Sequence, residues 1–288
     1  MKVISTDKLQ EGMLLGQDVY ANNKIVLKQG TFLELPNILF LQNHMNRVAI
    51  YSLEDVDKQF QKDASSRKFY ALSLMNHIKC SFECALTSES DYMQAYNFLV
   101  KLLTENPDVI SDAYYISYYH GYTLQHSIKV SIYAYLIGRQ LGLGVDNLVS
   151  LLIGGIYHDV GKVNINKAIL DKPAKLTEAE FSEIKKHPLY SASALKTANY
   201  IPDVITSIAS QHHEKLDGSG YPFGLQHNQI QPLTKIITVA DIFDACTSAR
   251  VYHAARTSQE GFNILAGCER RQEIDKLLVQ ALRKALVK

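Results

Sequence analysis

From about residue 111 to the C-terminus the sequence runs in apolar stretches at helical spacing. The residues that interrupt the pattern are of one kind: His126, His158, Asp159, His187, His212, His213 and Asp241. Each sits in or beside an otherwise apolar helix, where an unpaired polar side chain is costly to bury. One such histidine is ordinarily a satisfied core residue. A set spread over successive helices, with two adjacent pairs, is harder to explain as packing, and the facing helices of a bundle are where paired metal sites are built. Imidazoles and carboxylates without thiolate suit iron, manganese or zinc, and open positions for solvent and substrate suit catalysis more than structure.

The densest point of the pattern is Ile156-Tyr157-His158-Asp159-Val160-Gly161-Lys162. A lone His-Asp pair is more often a surface or capping feature, so it is the other ligand-type residues that decide for metal here. A carboxylate has two oxygens and can bridge cations about 3.5–4 Å apart, while the neighbouring imidazole holds one of them. Such a pair polarises a phosphodiester and lowers the pKa of a bridging water, giving hydroxide for in-line attack. Lys162 would then steady the non-bridging oxygens as charge builds, although a solvated lysine at a helix end is the commoner fate of that residue type. Asp159 and Lys162 are therefore the candidate catalytic residues, with Lys162 also touching substrate.

The rest of the chain divides into a small α+β module over residues 1–56, a helical connecting region over 57–110 and the helical catalytic region over 111–288. In the first, strand-like runs cover Lys2 to Ser5, Gln17 to Tyr20 and Ile25 to Lys28, with Asn22-Asn23 as a hairpin turn. A helix is expected from Leu35 to His44 and a closing strand from Val48 to Tyr51. The polar stretch from Glu54 to about Ser66 reads as a connecting segment. Helices are expected over residues 69–86, with Cys80 and Cys84 on one face, and over 91–104, with Pro107 interrupting. Gly142 is the expected C-cap of a helix from Leu124 to Leu141, Asp146 the N-cap of the next, and Thr177 with Glu180 a capping box. Residues 259–288 read as one or two closing amphipathic helices. Thirty Lys+Arg against 29 Asp+Glu leave no field to recruit nucleic acid or anionic lipid. Four cysteines argue against a disulfide framework. With no signal-peptide pattern and no apolar run of membrane-spanning length, a cytoplasmic protein without membrane insertion is expected.

After the ligand residues comes Gly218-Ser219-Gly220-Tyr221-Pro222. Its glycines allow close backbone approach to a ligand and its tyrosine offers a ring or a hydroxyl, the competing reading being a plain surface turn. The ordered set His158-Asp159-x-Gly161-Lys162, His187-Pro188, His212-His213-Glu214-Lys215-Leu216-Asp217-Gly218-Ser219-Gly220-Tyr221-Pro222 and Val239-Ala240-Asp241-Ile242-Phe243-Asp244-Ala245 resembles the HD-GYP branch of the HD metal-dependent phosphohydrolases, over about residues 120–258. The runs DKLQEGMLLGQDVY and LKQGTFL resemble the small region often found before such domains. The resemblance implies a mainly α fold, an HD-domain helical bundle carrying the metal site behind a small α+β module. It implies a bacterial phosphodiesterase that opens cyclic di-GMP to pGpG and in many members onward to GMP. It makes His126, His158, Asp159, His187, His212, His213 and Asp241 the ligands of two divalent transition metals, with Asp159 bridging. Gly220, Tyr221, Pro222, Arg250 and His253 fall at substrate-binding positions. Signalling proteins such as diguanylate cyclases are the partners it implies, and members often pair as homodimers.

There are departures from the family pattern. The arginine motif reads Arg250-Val251-Tyr252-His253, without its proline and with histidine for the usual basic residue, which weakens the grip on phosphate at neutral pH. Tyr122 stands where some members carry a glutamate for a third metal, so a two-metal site is expected. Ser191 replaces a common glycine, a change expected to matter little. A catalytically weak receptor that keeps the metal site is the alternative to an active enzyme, and an HD phosphohydrolase for another nucleotide is a third reading that the Gly-Tyr-Pro loop argues against.

Overall fold

The computed structural model describes residues 1–288 apart from 11–12, 32, 34, 63, 66, 69, 73–88, 120, 199–200, 249–255 and 287–288. It is mostly helical with a small strand region at the N-terminus, as expected. Contacts divide the chain into two units, one of residues 1–82 with 96–125, the other of residues 83–95 with 126–288.

In the first unit, strands β1 (Lys2–Ser5) and β2 (Val19–Ala21) are followed by β3 (Lys24–Leu27), helix α1 (Leu35–His44) and β4 (Arg47–Ile50). β1 pairs antiparallel with β4, Lys2 opposite Ile50. β2 and β3 form the expected hairpin, with Asn22 and Asn23 at φ 50° and 59°, a conformation asparagine tolerates. Leu15, Val19, Leu33, Leu41, Val48 and Ile50 make the core beneath them, each worth about 1.5–3 kcal/mol when buried from water. The polar stretch expected to connect is instead helix α2 (Leu53–Lys62). Asp57, Lys58 and Lys62 are exposed, Val56 and Phe60 are buried one turn apart, and the Asp55 N–H donates to Ser52 Oγ at its start. The helix packs on α4 (Pro107–Tyr119), which follows α3 (Glu89–Glu105). Pro107 ends one helix and opens the next, where its missing N–H is not needed. The helix expected over residues 69–86, with Cys80 and Cys84, falls almost wholly outside the described residues.

The second unit carries the ligand residues. Helix α5 (Gly121–Gln140) closes at Gly142, with φ 72°. Helix α6 (Val145–Tyr157) is capped by Gly144 and not by Asp146. Asp146 sits in the first turn, where its charge favours the positive end of the helix dipole. A 3₁₀ turn (Val160–Asn164), α7 (Lys167–Leu170) and α8 (Glu178–Ile184) follow, α8 with the expected Thr177–Glu180 capping box. Then come α9 (His187–Lys196), α10 (Asp203–Gln211), α11 (Pro232–Thr247), α12 (Ser258–Arg270) and α13 (Lys276–Leu286), the last two being the closing helices. α10 packs against α6, α9 and α11, and α11 against α6, α12 and α13. Phe243 of α11 is fully buried, edge-on to Tyr133 of α5 at 5.1 Å and against Phe262 of α12 at 4.9 Å. That apolar plug fixes α5 and α11 side by side and so sets the spacing of His126 and Asp241.

Candidate metal centre

Each ligand-type residue sits where its helix begins, ends or faces a neighbour. His158 caps α6, and the chain leaves the helix at Asp159, which starts the 3₁₀ turn. His187 and Pro188 open α9, proline's fixed φ suiting the first turn. His212 caps α10, while His126 and Asp241 come from the middle of the packed pair α5 and α11. All are buried except His213, which is partly exposed.

Asp159 stands at the centre. Its Oδ1 is 3.1 Å from His187 Nε2 and 3.6 Å from His212 Nε2. Its Oδ2 is 3.3 Å from His158 Nε2 and 3.6 Å from His126 Nε2, and accepts from Lys162 Nζ. Asp241 reaches His126 Nε2 at 3.1 Å through Oδ1 and His213 Nδ1 at 4.0 Å through Oδ2. Three groups able to hold a metal result, Asp159 with His187, His212 and His213, Asp159 with His126 and His158, and His158 with His212 and Asp241. The expected ligands are therefore brought together, and Asp159 belongs to two of the three groups.

The imidazoles are aimed by what holds their other nitrogen. Nδ1–H of His158, His187 and His212 donates to the carbonyl three residues earlier, that of Gly155, Ile184 and Ala209, at 2.8, 2.6 and 2.9 Å. Each Nε2 is thereby left to face the centre, the arrangement that orients metal-ligating histidines. His126 uses a carboxylate instead: Nδ1 donates to Asp244 Oδ2 at 2.6 Å. Asp244 is fully buried and accepts from Ser248 Oγ at 2.7 Å, which in turn accepts from Lys129 Nζ at 3.1 Å. His158 Nε2 and Asp159 Oδ1 are buried without a well-formed hydrogen bond. Such orphaned atoms are costly, and a cation is the group that satisfies both, so the residues fit a metal.

Burial by itself disfavours charge at all of these groups. It prevails at His212, whose pKa falls to about 4 with His158 and His187 adding to the effect against Asp159. It prevails too at His213, held well below the histidine range with His212 beside it. It is overcome at His126, where hydrogen bonds to Asp241 and Asp244 lift the pKa to about 9. It is overcome at Asp159 by Lys162 and His158, and at Asp241 by His126, so both carboxyls stay ionised well below their usual range. At neutral pH the centre thus offers two carboxylates and the lone pairs of His212 and His213, while His126 gives up its Nε2 proton when a cation binds.

Two backbone approaches hold the site. A Cβ on Gly161 would lie 2.3 Å from His187 O and from Ser191 N, so only glycine lets the 3₁₀ turn lie on α9. Ser191 Oγ accepts from Gly161 N at 2.8 Å and donates to His158 O at 3.0 Å. The small weight given to Ser191 in the sequence is thus corrected, since its buried hydroxyl ties the His-Asp segment to the helix of His187. Gly220 is equally confined, a Cβ there meeting Lys215 N at 2.4 Å and Glu214 Cα at 2.5 Å. The loop closes further through Glu214, buried, whose carboxylate accepts from the N–H groups of Phe223 at 2.7 Å and Leu225 at 2.9 Å. Tyr221 then stacks on His213, centroids 4.7 Å apart at 27°, with Pro222 next in a cis peptide. Beside them opens a cavity of about 260 Å³ that reaches His212, His213 and Asp241.

Arg250 and His253 lie outside the described residues, as does the Tyr122 side chain. Sequence reasoning passed over Asp244, Glu214 and Ser191 as site residues. Asp244 had a signal, since it lies three residues after Asp241 on the same helix face.

A family model for the HD domain matches residues 109–278. A 3′3′-cGAMP-specific phosphodiesterase of Vibrio cholerae is 39% identical over 57% of this chain and 35% of its own length. A cyclic di-GMP phosphodiesterase of Pseudomonas aeruginosa is 35% identical over 50% of this chain and 35% of its own length. One from Thermotoga maritima is 32% identical over 61% and 46%. The chain spans about a third to a half of the length of these relatives. A solved HDGYP protein from Bdellovibrio bacteriovorus shares the fold over 100% of this chain and 99% of that one, with a TM-score of 0.55 at 17% identity. With the family model covering more than half of its residues, the chain belongs to the HD domain family.

Proposed function

We propose that the chain is a metal-dependent phosphodiesterase that opens cyclic di-GMP to linear pGpG. The observation that carries this reading is the division of the Asp159 carboxylate, Oδ1 toward His187 and His212, Oδ2 toward His158 and His126. In this reading His126, His158, Asp159, His187, His212, His213 and Asp241 hold two divalent cations, iron or manganese with zinc as the alternative by donor type. When bound, the cations polarise the phosphodiester and make a solvent molecule acidic enough to attack in line. Asp159 and Asp241, ionised, balance their charge, and His212 and His213 stay unprotonated to offer lone pairs. Lys162, on Asp159 Oδ2 and partly exposed, keeps donors free for a non-bridging phosphate oxygen. Tyr221 forms a wall of the cavity, and Gly220 lets the loop lie against the ligand-bearing backbone so that Tyr221 faces the substrate, with Pro222 a further substrate contact in this reading. Arg250 and His253 add phosphate contacts in this reading.

A second reading takes 3′3′-cGAMP as substrate, favoured by the 39% identity to a phosphodiesterase named for that specificity. One experiment tests both. The purified protein is loaded with Mn²⁺ or Fe²⁺ and incubated with each cyclic dinucleotide, and its linear products and mononucleotides are separated. Hydrolysis of cyclic di-GMP that Asp159→Ala abolishes supports the proposal, and faster turnover of 3′3′-cGAMP moves the substrate to the second reading. Tight binding with no turnover makes the chain a receptor and ends the proposal.

A further inference from the structure

We propose that Lys185 binds the second, non-scissile phosphate of the cyclic dinucleotide. This assignment rests on the phosphodiesterase reading above. Lys185 caps the C-terminal end of α8 and lines the cavity that reaches His212, His213 and Asp241. Its Nζ lies 4.7 Å from the Phe181 ring centroid and 5.6 Å from that of Tyr221. Two aromatic faces thus hold the ammonium in place, one of them on the same ring that stacks against His213.

Lys185 has no neutralising acid among the described residues. Nearby lysines are engaged: Lys162 by Asp159, Lys172 by Glu180, Lys186 by Glu183 and Lys215 by Glu273. Among the described residues the ion pairs include none with Lys185. A positive charge fixed by rings, unpaired, and facing a cavity next to a phosphodiester site is placed for an anion. Phe181 is 45% exposed, a large apolar surface left at the mouth of the site, and holding Lys185 gives that exposure a purpose. A cyclic dinucleotide supplies two phosphates on one ring. With one at the metal centre, the other needs a cation outside it, and Lys185 stands in the cavity beside that centre.

The test compares substrates with one and two phosphates. The metal-loaded wild type, Lys185→Met and Lys185→Arg are assayed with cyclic di-GMP, 3′3′-cGAMP and bis(4-nitrophenyl) phosphate. Equilibrium binding of fluorescein-labelled cyclic di-GMP is measured alongside. Lys185→Met is expected to raise KM for both cyclic dinucleotides roughly tenfold, the loss of one charge-assisted contact, with kcat held within about twofold. The increase for the single-phosphate substrate should be several-fold smaller, and Lys185→Arg should recover most of the affinity. Equal effects on all substrates, or a loss confined to kcat, overturn the assignment. So does a loss that differs between cyclic di-GMP and 3′3′-cGAMP, which would make the contact one to a base. Wild-type inactivity counts against the phosphodiesterase reading, and the Lys185 assignment then stands or falls on whether Lys185→Met weakens dinucleotide binding.

Discussion

Replacing Asp244 by alanine should weaken metal binding without dismantling the fold. The carboxylate takes the Nδ1–H of His126 at 2.6 Å in a fully buried setting. It is the only non-backbone group among the four that orient ligand imidazoles through Nδ1 in the described residues. Outer partners of this kind contribute about 10–100-fold to metal affinity, or about 1.4–2.7 kcal/mol. Leaving the His126 N–H unsatisfied should also lower folding stability by about 1–3 kcal/mol. Asp244→Asn keeps the shape and an acceptor for His126 but loses the charge, so its affinity should lie between those of the wild type and Asp244→Ala. The assay is chelator-competition titration with Mn²⁺, with total metal content measured on the same preparations. A second arm places Asp244→Ala on a His126→Ala background, where it should change affinity little, because the two residues act as one unit. An Asp244→Ala protein that folds and binds Mn²⁺ within about twofold of wild type would refute the reasoning.

Gly161→Ala should destabilise the protein by about 1–3 kcal/mol, because its methyl group would meet backbone atoms of α9 that have no room to yield. Thermal unfolding and metal content measured together check this, and an unchanged midpoint with full metal occupancy would contradict it. Glu214→Gln should open the Gly-Tyr-Pro loop, since a neutral amide oxygen holds the Phe223 and Leu225 N–H groups less strongly than a carboxylate does. Faster limited proteolysis between residues 216 and 226 with little change in global stability is the expected result. The Arg271 guanidinium draws the Glu273 pKa down to about 2 from an ordinary 4.5. Its ion pair therefore stabilises the fold fully above pH 4.5, and this contribution fades as pH falls through about 2. Because Arg271 is 61% exposed, solvent screening keeps that contribution small. Urea melts of Glu273→Gln should show that deficit at pH 7 and little of it near pH 2.

The helices and the histidine–aspartate cluster were legible because each left a mark in composition. A run such as Leu148 to Tyr157 reads as a buried helix, and His158 at its end is conspicuous because nothing apolar explains it. Three features were not legible, for separate reasons. The charged segment after Ser52 looked like a linker because charge dominates it, yet Val56 and Phe60 are enough to bury one face of a helix. Asp146 lost the cap to Gly144 because the turn at Gly142 brings the chain round two residues earlier than side-chain preference alone suggests. Asp244, Glu214 and Ser191 escaped as site residues because each acts through another group, and such a role is set by three-dimensional approach and not by spacing along the chain.

The Ser191 hydroxyl joins two segments that are far apart in sequence, through Gly161 N and His158 O. Since Asp159 lies between those two anchor points, the two halves of the centre are braced by a single strut. Undocking the first turn of the His187 helix would therefore disturb both ligand groups at once. Loss of bound metal and of its cradle should accordingly be one event, and a folded site stripped of metal should be scarce.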